Sequence, residues 1–315
     1  MSTVRLDDRH EITVSSGSPA LQWWGRKQRK IAPYLFISPF YILFGVFFIF
    51  PVFYALALSL HKMTGFSTPT FIGLSNYATA FDDPRLLQAL INTTFFALGS
   101  VFIQLPISFG LALAFNSSST RRLDSIYRVG YFFPVLASTV VVALMFTLVF
   151  NKDYGIANSA LRLLGFAPIP WLSSRAWAMP SVILLGVWIW AGVNSFYLLA
   201  GLKGIPEELH EAAAIDGANG WQTFLNITVP MLRPVILFVT TAAIIGSYSL
   251  FAQPLILTGG GPGDASLTMV MYIYFQGFRY VQMGYASALG YILALLIFIL
   301  SLLQLRLFGM SGVGD

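Results

Sequence analysis

What constrains this chain most is where its charges are missing. Asp, Glu, Lys and Arg are absent from Ile31 to His61, Leu86 to Thr120, Val129 to Asn151, Ala176 to Leu202, Pro234 to Gly263 and Tyr280 to Leu305. Crossing about 30 Å of hydrocarbon takes about 20 helical residues, so each gap is long enough for one span. The pattern predicts six transmembrane helices, over Pro39 to Leu60, Leu90 to Phe115, Val129 to Phe150, Pro180 to Gly201, Pro234 to Leu257 and Ala286 to Leu307. The expected fold is an all-α integral membrane protein. Residues 1–30 are expected as a cytoplasmic polar tail, 31–308 as the six-span domain and 309–315 as a short cytoplasmic C-terminal tail. The composition agrees: 57% of residues are hydrophobic and only 10% charged, against about 25% charged in soluble domains. Aromatic residues at 16% suit lipid contact and interfacial anchoring.

Orientation follows from the cations. With the N-terminus inside, the inner set is Arg5, Arg9, Arg26, Lys27, Arg29, Lys30, Arg121, Arg122, Arg128, Lys203, Arg233 and Arg306. The outer set is Lys62, Arg85, Lys152, Arg162, Arg175 and Arg279. The excess of inner cations predicts both termini in the cytoplasm. The N-terminal segment has no short apolar core followed by a small-residue cleavage site, so a retained anchor is expected. The cations sit at the edges of apolar runs rather than in a basic stripe, which argues against nucleic acid.

Several chemistries lack their residues. There is no Cys, hence no disulfide and no thiolate metal site. None of the lysines follows a glycine, so the GxxxxGK[ST] phosphate cradle of a nucleotide-driven pump is missing. Apart from Arg306 at the very end of the last one, the expected spans hold no Asp, Glu, Lys, Arg or His, so none sits at depth as a proton-coupled carrier would bury it. His10, His61 and His210 lie far apart, and neither HExxH nor GxSxG occurs, so no catalytic residue and no metal site is assigned. The remaining reading is a pathway-forming subunit that takes its energy from elsewhere. A stand-alone carrier or channel, and a membrane enzyme, are the rival classes.

The most informative segment runs from Lys203 to Arg233. Pro206 suits a first helical position, Glu207 and Glu208 complement the helix N-terminus, Ala212 to Ala214 propagate the helix, and Gly217 can end it in the left-handed conformation. Asn219 can cap a second short helix through Trp221, Phe224 and Ile227, closed by Pro230 and Pro234. The acids Glu207, Glu208, Glu211 and Asp216 make this elbow net acidic on a face that otherwise collects cations. Such a knob fits a basic cleft of a partner.

The stretches Glu211-Ala212-Ala213, Asp216-Gly217-Ala218 and Ile227-Thr228-Val229-Pro230 resemble the EAA loop of type I ABC importer permeases, with Val229 in place of the usual Leu. Leu257-Thr258-Gly259-Gly260-Gly261-Pro262, with Tyr272-Ile273-Tyr274, Phe278 and Gly284 to Ala288, resembles the carbohydrate branch and its MalF-like subunits. The resemblance implies a type I importer permease fold with a cytoplasmic EAA coupling helix. It also implies an inner-membrane subunit of an ATP-driven, binding-protein-dependent importer of a di- or oligosaccharide. The implied partners are a second, MalG-like permease, a homodimeric ATPase and an extracytoplasmic substrate-binding protein. ATP and Mg would be bound on the ATPase and no cofactor on this chain. Glu207, Glu208, Glu211, Ala212, Ala213, Asp216 and Gly217 would then contact or transmit force from the ATPase.

For cargo, an uncharged pathway can offer aromatic faces and amide or hydroxyl groups. Span five supplies Ser247, Tyr248, Ser249, Phe251 and Gln253, and span four supplies Trp188, Trp190 and Asn194. The resemblance favours the helix before the Thr258-Gly259-Gly260-Gly261-Pro262 turn. A glycerol phosphate or polyol is the alternative cargo, although, Arg306 at the end of the last span apart, no cation in the expected spans favours an anion.

Overall fold

The computed structural model describes residues 19–65, 67–116, 130 and 133–307, with side chains from Lys30 onward. Most of the two expected tails, together with Val129 and the inner-set cations Arg5, Arg9, Arg121, Arg122 and Arg128, lies outside the described residues. The chain divides into two compact units, Met1–Ala55 and Leu56–Asp315.

In the first unit, helix α1 (Pro19–Phe44) runs through a π-turn at Gly45–Ile49 into α2 (Phe50–Ser59), whose end belongs to the second unit. The expected start at Pro39 is too late, because Pro33 and Pro39 both sit inside a continuing helix. From Lys30 to Ser59 the helix is apolar and almost wholly exposed, as a lipid-facing span is. Phe40, Phe44 and Phe48 stack at successive four-residue steps, with ring centroids 5.9 and 4.9 Å apart.

The second unit begins with a two-residue hairpin, β1 (His61–Lys62) against β2 (Thr70–Phe71), and α3 (Ser75–Phe81). Asn76 Nδ2 donates to the carbonyls of Ser59 and His61, tying this corner down. Then come α4 (Pro84–Gly99) and α5 (Leu105–Asn116), joined through a π-turn at Ser100–Gln104 into one apolar span of 33 residues. Its true start is six residues before the expected Leu90. Asp83 caps it by accepting from the amides of Arg85 and Leu86, and Pro84 occupies its first turn.

Span three is broken rather than straight: residues 133–136 are helical, and the chain leaves the helix at 137–138. Helix α6 (Thr139–Val149) has 11 residues, or about 16 Å at 1.5 Å per residue, and Ser138 before it has ψ of 126°. The loop after it holds α7 (Ile156–Leu163), organised around the fully buried Asn158. Its Nδ2 donates to Lys152 and Ile169 carbonyls, and its Oδ1 accepts from the Ile169 amide and the Trp171 indole. Helix α8 (Ala178–Lys203) is span four.

After α8 come the elbow helices α9 (Glu207–Ile215), α10 (Gly220–Thr223) and α11 (Val229–Met231), then α12 (Arg233–Tyr248), α13 (Ala252–Thr258), α14 (Met269–Tyr274) and α15 (Met283–Leu307). The expected straight span over Pro234 to Leu257 is therefore broken after Tyr248. Pro254 explains the break. It has no N–H to give the Leu250 carbonyl one helical turn back, and the buried Thr268 hydroxyl takes that place at 2.8 Å. Among the described residues, four helices are long and apolar enough to cross a membrane unaided, and a fifth arises if the bent pair Gly220–Met231 and Arg233–Tyr248 counts as one.

Small residues let the helices meet closely. A Cβ on Gly99 would lie 2.7 Å from Ile183 Cδ1, and one on Gly201 would lie 2.6 Å from Leu232 Cδ2. One buried cluster joins Phe96, Val142, Val182, Leu185 and Ile189 to Leu250 and Leu257. A second joins Ala89, Tyr248, Leu267, Met271, Tyr272 and Leu289. Between them they fix α4, α6, α8, α12, α13, α14 and α15 in one body.

Candidate functional site: an acidic elbow and a polar cavity

The elbow is built by local rules. Glu207 and Glu208 lie in the first turn of α9, where carboxylates complement the unpaired amides. Pro206 stands one place earlier than expected, at the N-cap. The helix ends in a Schellman turn: the Ala218 amide donates to the Ala213 carbonyl at 2.9 Å and the Gly217 amide to that of Ala214 at 3.1 Å, with Gly217 at φ +76°. Asn219 and Gln222 then form a reciprocal capping box at 2.9 Å each way.

The second elbow helix does not close at Pro230, which is accommodated in the short α11. It continues through a π-turn at Phe224–Thr228 and bends by 68° at Leu232. Pro234 opens α12 rather than closing the elbow, because a first-turn proline has no intrahelical N–H to lose. Leu232, 1% exposed, packs with Ala112, Leu198, Leu199 and Leu202, so the elbow's root is held in the bundle.

All the acids of the elbow, Glu207, Glu208, Glu211 and Asp216, are exposed, as are Ala212 and Gly217, while Ala213 is buried. Ile215 is 86% exposed and Trp221 68%, an apolar pair beside carboxylates at the tip of a rigid turn.

The second candidate site is a cavity of about 330 Å³ among α4, α8, α12, α13 and the π-turn of span two. Of the expected cargo residues, Trp190, Asn194, Ser247, Ser249 and Gln253 line it. Tyr248 and Phe251 do not, nor does Trp188. Tyr248 is buried with its hydroxyl 2.9 Å from Thr94 Oγ1, Phe251 packs its ring on Tyr274 at 5.1 Å, and Trp188 packs on Phe146 at 5.3 Å. Each contacts a neighbouring helix instead of the cavity. Successive residues on a helix point about 100° apart, so Tyr248 and Ser247, and Trp188 and Trp190, face different surroundings along one helix, and the break after Tyr248 redirects Phe251 and Gln253 as well.

The cavity also takes Phe96, Ser100 and Gln104 from span two and Tyr197 from span four, none of them singled out in the sequence. A legible signal existed in Gln104, an amide in the middle of a charge-free run. Ser247 and Ser249 hydroxyls donate to carbonyls one turn back, at 2.7 and 3.0 Å. The side-chain amides of Gln104, Asn194 and Gln253 make no hydrogen bond among the described residues, although Gln104 is 4% and Gln253 7% exposed. Among the described residues the polar side-chain atoms both sealed from solvent and unpartnered are Thr240 Oγ1 and Gln304 Nε2 and Oε1; these three amides instead open on the cavity, where water or a ligand can bond them. No lining residue is charged, and no three metal-ligating side chains cluster among the described residues.

Outside the cavity, the glycine-rich loop after α13 is clamped to span two. Arg85 forms a two-bond fork on Asp264, Asn92 Nδ2 donates to the carbonyls of Asp264 and Leu267, and Arg175 donates to Gly263 O at 3.0 Å. Asp83, already the cap of α4, also accepts from the hydroxyls of Tyr272 and Tyr285.

Comparison with known proteins agrees with this architecture. Residues 104–308 match the family described as binding-protein-dependent transport system inner membrane component. The chain is 39% identical to the arabinooligosaccharides transport system permease protein AraP of Bacillus subtilis, over 89% of this chain and 90% of that one. It is 35% identical to the lactose transport system permease protein LacF of Rhizobium radiobacter, over 86% and 92%, and 30% identical to the trehalose/maltose transport system permease protein MalF of Thermococcus litoralis, over 87% and 92%. Its fold matches a chain of a bacterial ABC transporter that imports the acidic polysaccharide alginate, with TM-score 0.78 and 24% identity over 91% of this chain and 98% of that one. The chain therefore belongs to the binding-protein-dependent inner-membrane components, the multi-pass permease subunits of type I ABC importers, and is a transport component rather than an enzyme.

Proposed function

We propose that this chain is the permease half of an ATP-driven importer of a di- or oligosaccharide, and that the cavity between spans two, four and five is its cargo path. The observation that carries the reading is the set of three unpaired amides beside Trp190 and Tyr197 in a cavity without charge. Sugars present hydroxyls that donate and accept and ring faces that pack on aromatics, which is what such a wall can satisfy. The names of the relatives, arabinooligosaccharide, lactose and trehalose/maltose permeases, support the same class. A glycerol phosphate is disfavoured by the lack of any cation in the lining.

The chain works beside a second permease and receives cargo from an extracytoplasmic binding protein. A solved relative of this fold was crystallised with an alginate pentasaccharide-bound periplasmic protein, which supports that arrangement. The chain crosses the inner membrane six times with both termini in the cytoplasm, and α9 docks on a separate ATPase that binds ATP and Mg. The exposed acids and Ile215 on one short helix and its cap, rooted through Leu232 into the bundle, suit a lever that takes displacement from outside the membrane. The test is ATPase activity of the assembled complex with its binding protein against a panel of neutral sugars. Stimulation by at least one sugar supports the reading, and solute movement through this chain alone in proteoliposomes refutes it.

A further inference from the structure

We propose that Gln104, on the π-turn of span two, reads a hydroxyl of the cargo together with Asn194 and Gln253, and that these amides make the path selective for uncharged sugars over anionic ones. The proposal rests on the reading of the cavity as the cargo path and deepens it.

The geometry of span two is the first argument. In a straight α-helix each four-residue step drifts about 40° around the axis. Phe96, Ser100 and Gln104 nonetheless all reach the cavity, and the π-turn lies at Ser100–Gln104, where the Leu105 amide donates to the Ser100 carbonyl. The wider turn swings Gln104 back toward the direction of Phe96. Single π-turns of this kind are common where a helix presents a functional side chain.

The second argument is the state of the amide. Gln104 is 4% exposed and its side chain makes no hydrogen bond among the described residues, whereas the buried side-chain amides Asn76, Asn92, Asn158 and Gln276 each have partners; Gln304 on α15 also lacks one but is sealed away from solvent, while Gln104 opens on the cavity. Those four hold loops and helices together. Gln104 holds nothing in the chain and faces a space that can contain a ligand.

The third argument is charge. An amide offers a donor and an acceptor, matching a hydroxyl, which is both. A carboxylate cargo would lose its hydration with no cation among the lining residues to replace it. Neutral sugars are thus favoured on desolvation as well as on hydrogen bonding.

The chain has no Cys, so Gln104→Cys and Gln253→Cys each create a single thiol. In the assembled complex with its binding protein, a charged methanethiosulfonate reagent reports access to each thiol, with arabinotriose, lactose, trehalose and maltose as neutral probes and an alginate trisaccharide as the anionic one. At least one neutral sugar is expected to slow labelling of both thiols about tenfold, the occupancy effect of a bound ligand at about nine times its Kd, while the alginate probe does not. Protection of Gln253→Cys without Gln104→Cys overturns the role of Gln104 and leaves the cargo path standing. Protection by alginate overturns the selectivity. Protection of neither thiol by any sugar removes the cargo path itself. Uptake by Gln104→Asn and Gln104→Leu supplies the second readout: a raised KM in Gln104→Leu, partly restored in Gln104→Asn, supports the proposal, and equal KM values in both and in the unaltered protein overturn it.

Discussion

Arg85 and Asp264, 179 residues apart, meet as a planar fork on a carboxylate, with Nε to Oδ2 and Nη2 to Oδ1 both at 2.9 Å. The pair joins the start of span two to the glycine-rich loop, and it holds Asp264 at φ +61°, a conformation that L side chains rarely take. Both side chains are about two-fifths to one-third exposed, so the ion pair itself is worth no more than about 1 kcal/mol. Asp264→Ala loses the pair and keeps the backbone strain, while Asp264→Gly loses the pair and relieves it. Gly is expected to be more stable than Ala here by about 1 kcal/mol, read from thermal unfolding in detergent. Equal stability of the two variants would contradict this account of the loop.

Asp83 gives a pH dependence whose sign is fixed. Burial alone pushes its carboxyl up, but the hydroxyls of Tyr272 and Tyr285 and the amides of Arg85 and Leu86 more than offset this, leaving it below the ordinary 3.8. A carboxylate stabilised in the fold contributes fully above its unfolded value and loses that contribution as pH falls through the lowered folded value. The unaltered protein should therefore exceed Asp83→Asn in stability at neutral pH and converge with it only in acid, below about pH 4. A gap that widens on acidification would show the sign to be wrong.

Gly217 separates shape from space. Nothing lies within 4 Å of a Cβ placed there, so Gly217→Ala costs only the left-handed backbone, about 1 kcal/mol. Gly217→Pro also removes the amide that bonds the Ala214 carbonyl and demands φ near −65°. All three variants should insert normally in the membrane, with Gly217→Asn and Gly217→Ala retaining most uptake and Gly217→Pro losing it. Full uptake by Gly217→Pro would mean that the elbow's bend transmits nothing.

Gln253→Leu tests the cavity wall. The substitution conserves bulk and removes one amide, which is worth about 0.5–1.5 kcal/mol if a cargo hydroxyl uses it. Uptake KM is expected to rise about three- to tenfold while protein yield and melting temperature hold. An unchanged KM would show that Gln253 faces the cavity without meeting the cargo.

Much of this was legible in the residue order. The elbow could be read because caps, dipole complement and the left-handed glycine act within a few residues, and Glu207, Gly217 and Asn219 take the positions their chemistry favours. The start of span two was equally local, in Asp83-Pro84, yet an apolar-run reading passed over it. Charge-free length located the helices but could not say that one of them breaks, since the break after Tyr248 is stabilised by Thr268, eighteen residues beyond the Leu250 carbonyl it serves.

The order of residues by itself settled that the chain lies in lipid, that it carries an acidic helical elbow and that its long apolar runs are free of charge, because hydration cost and helix capping depend on composition and near neighbours. Only the tertiary structure decided which polar groups share a cavity. Ser100 and Gln104 join Asn194 and Gln253 through a π-turn and the close crossing at Gly99 against Ile183, while Tyr248 and Phe251, adjacent in sequence to lining residues, turn into packing. That division reflects side-chain direction at helix crossings, which depends on contacts between residues far apart along the chain.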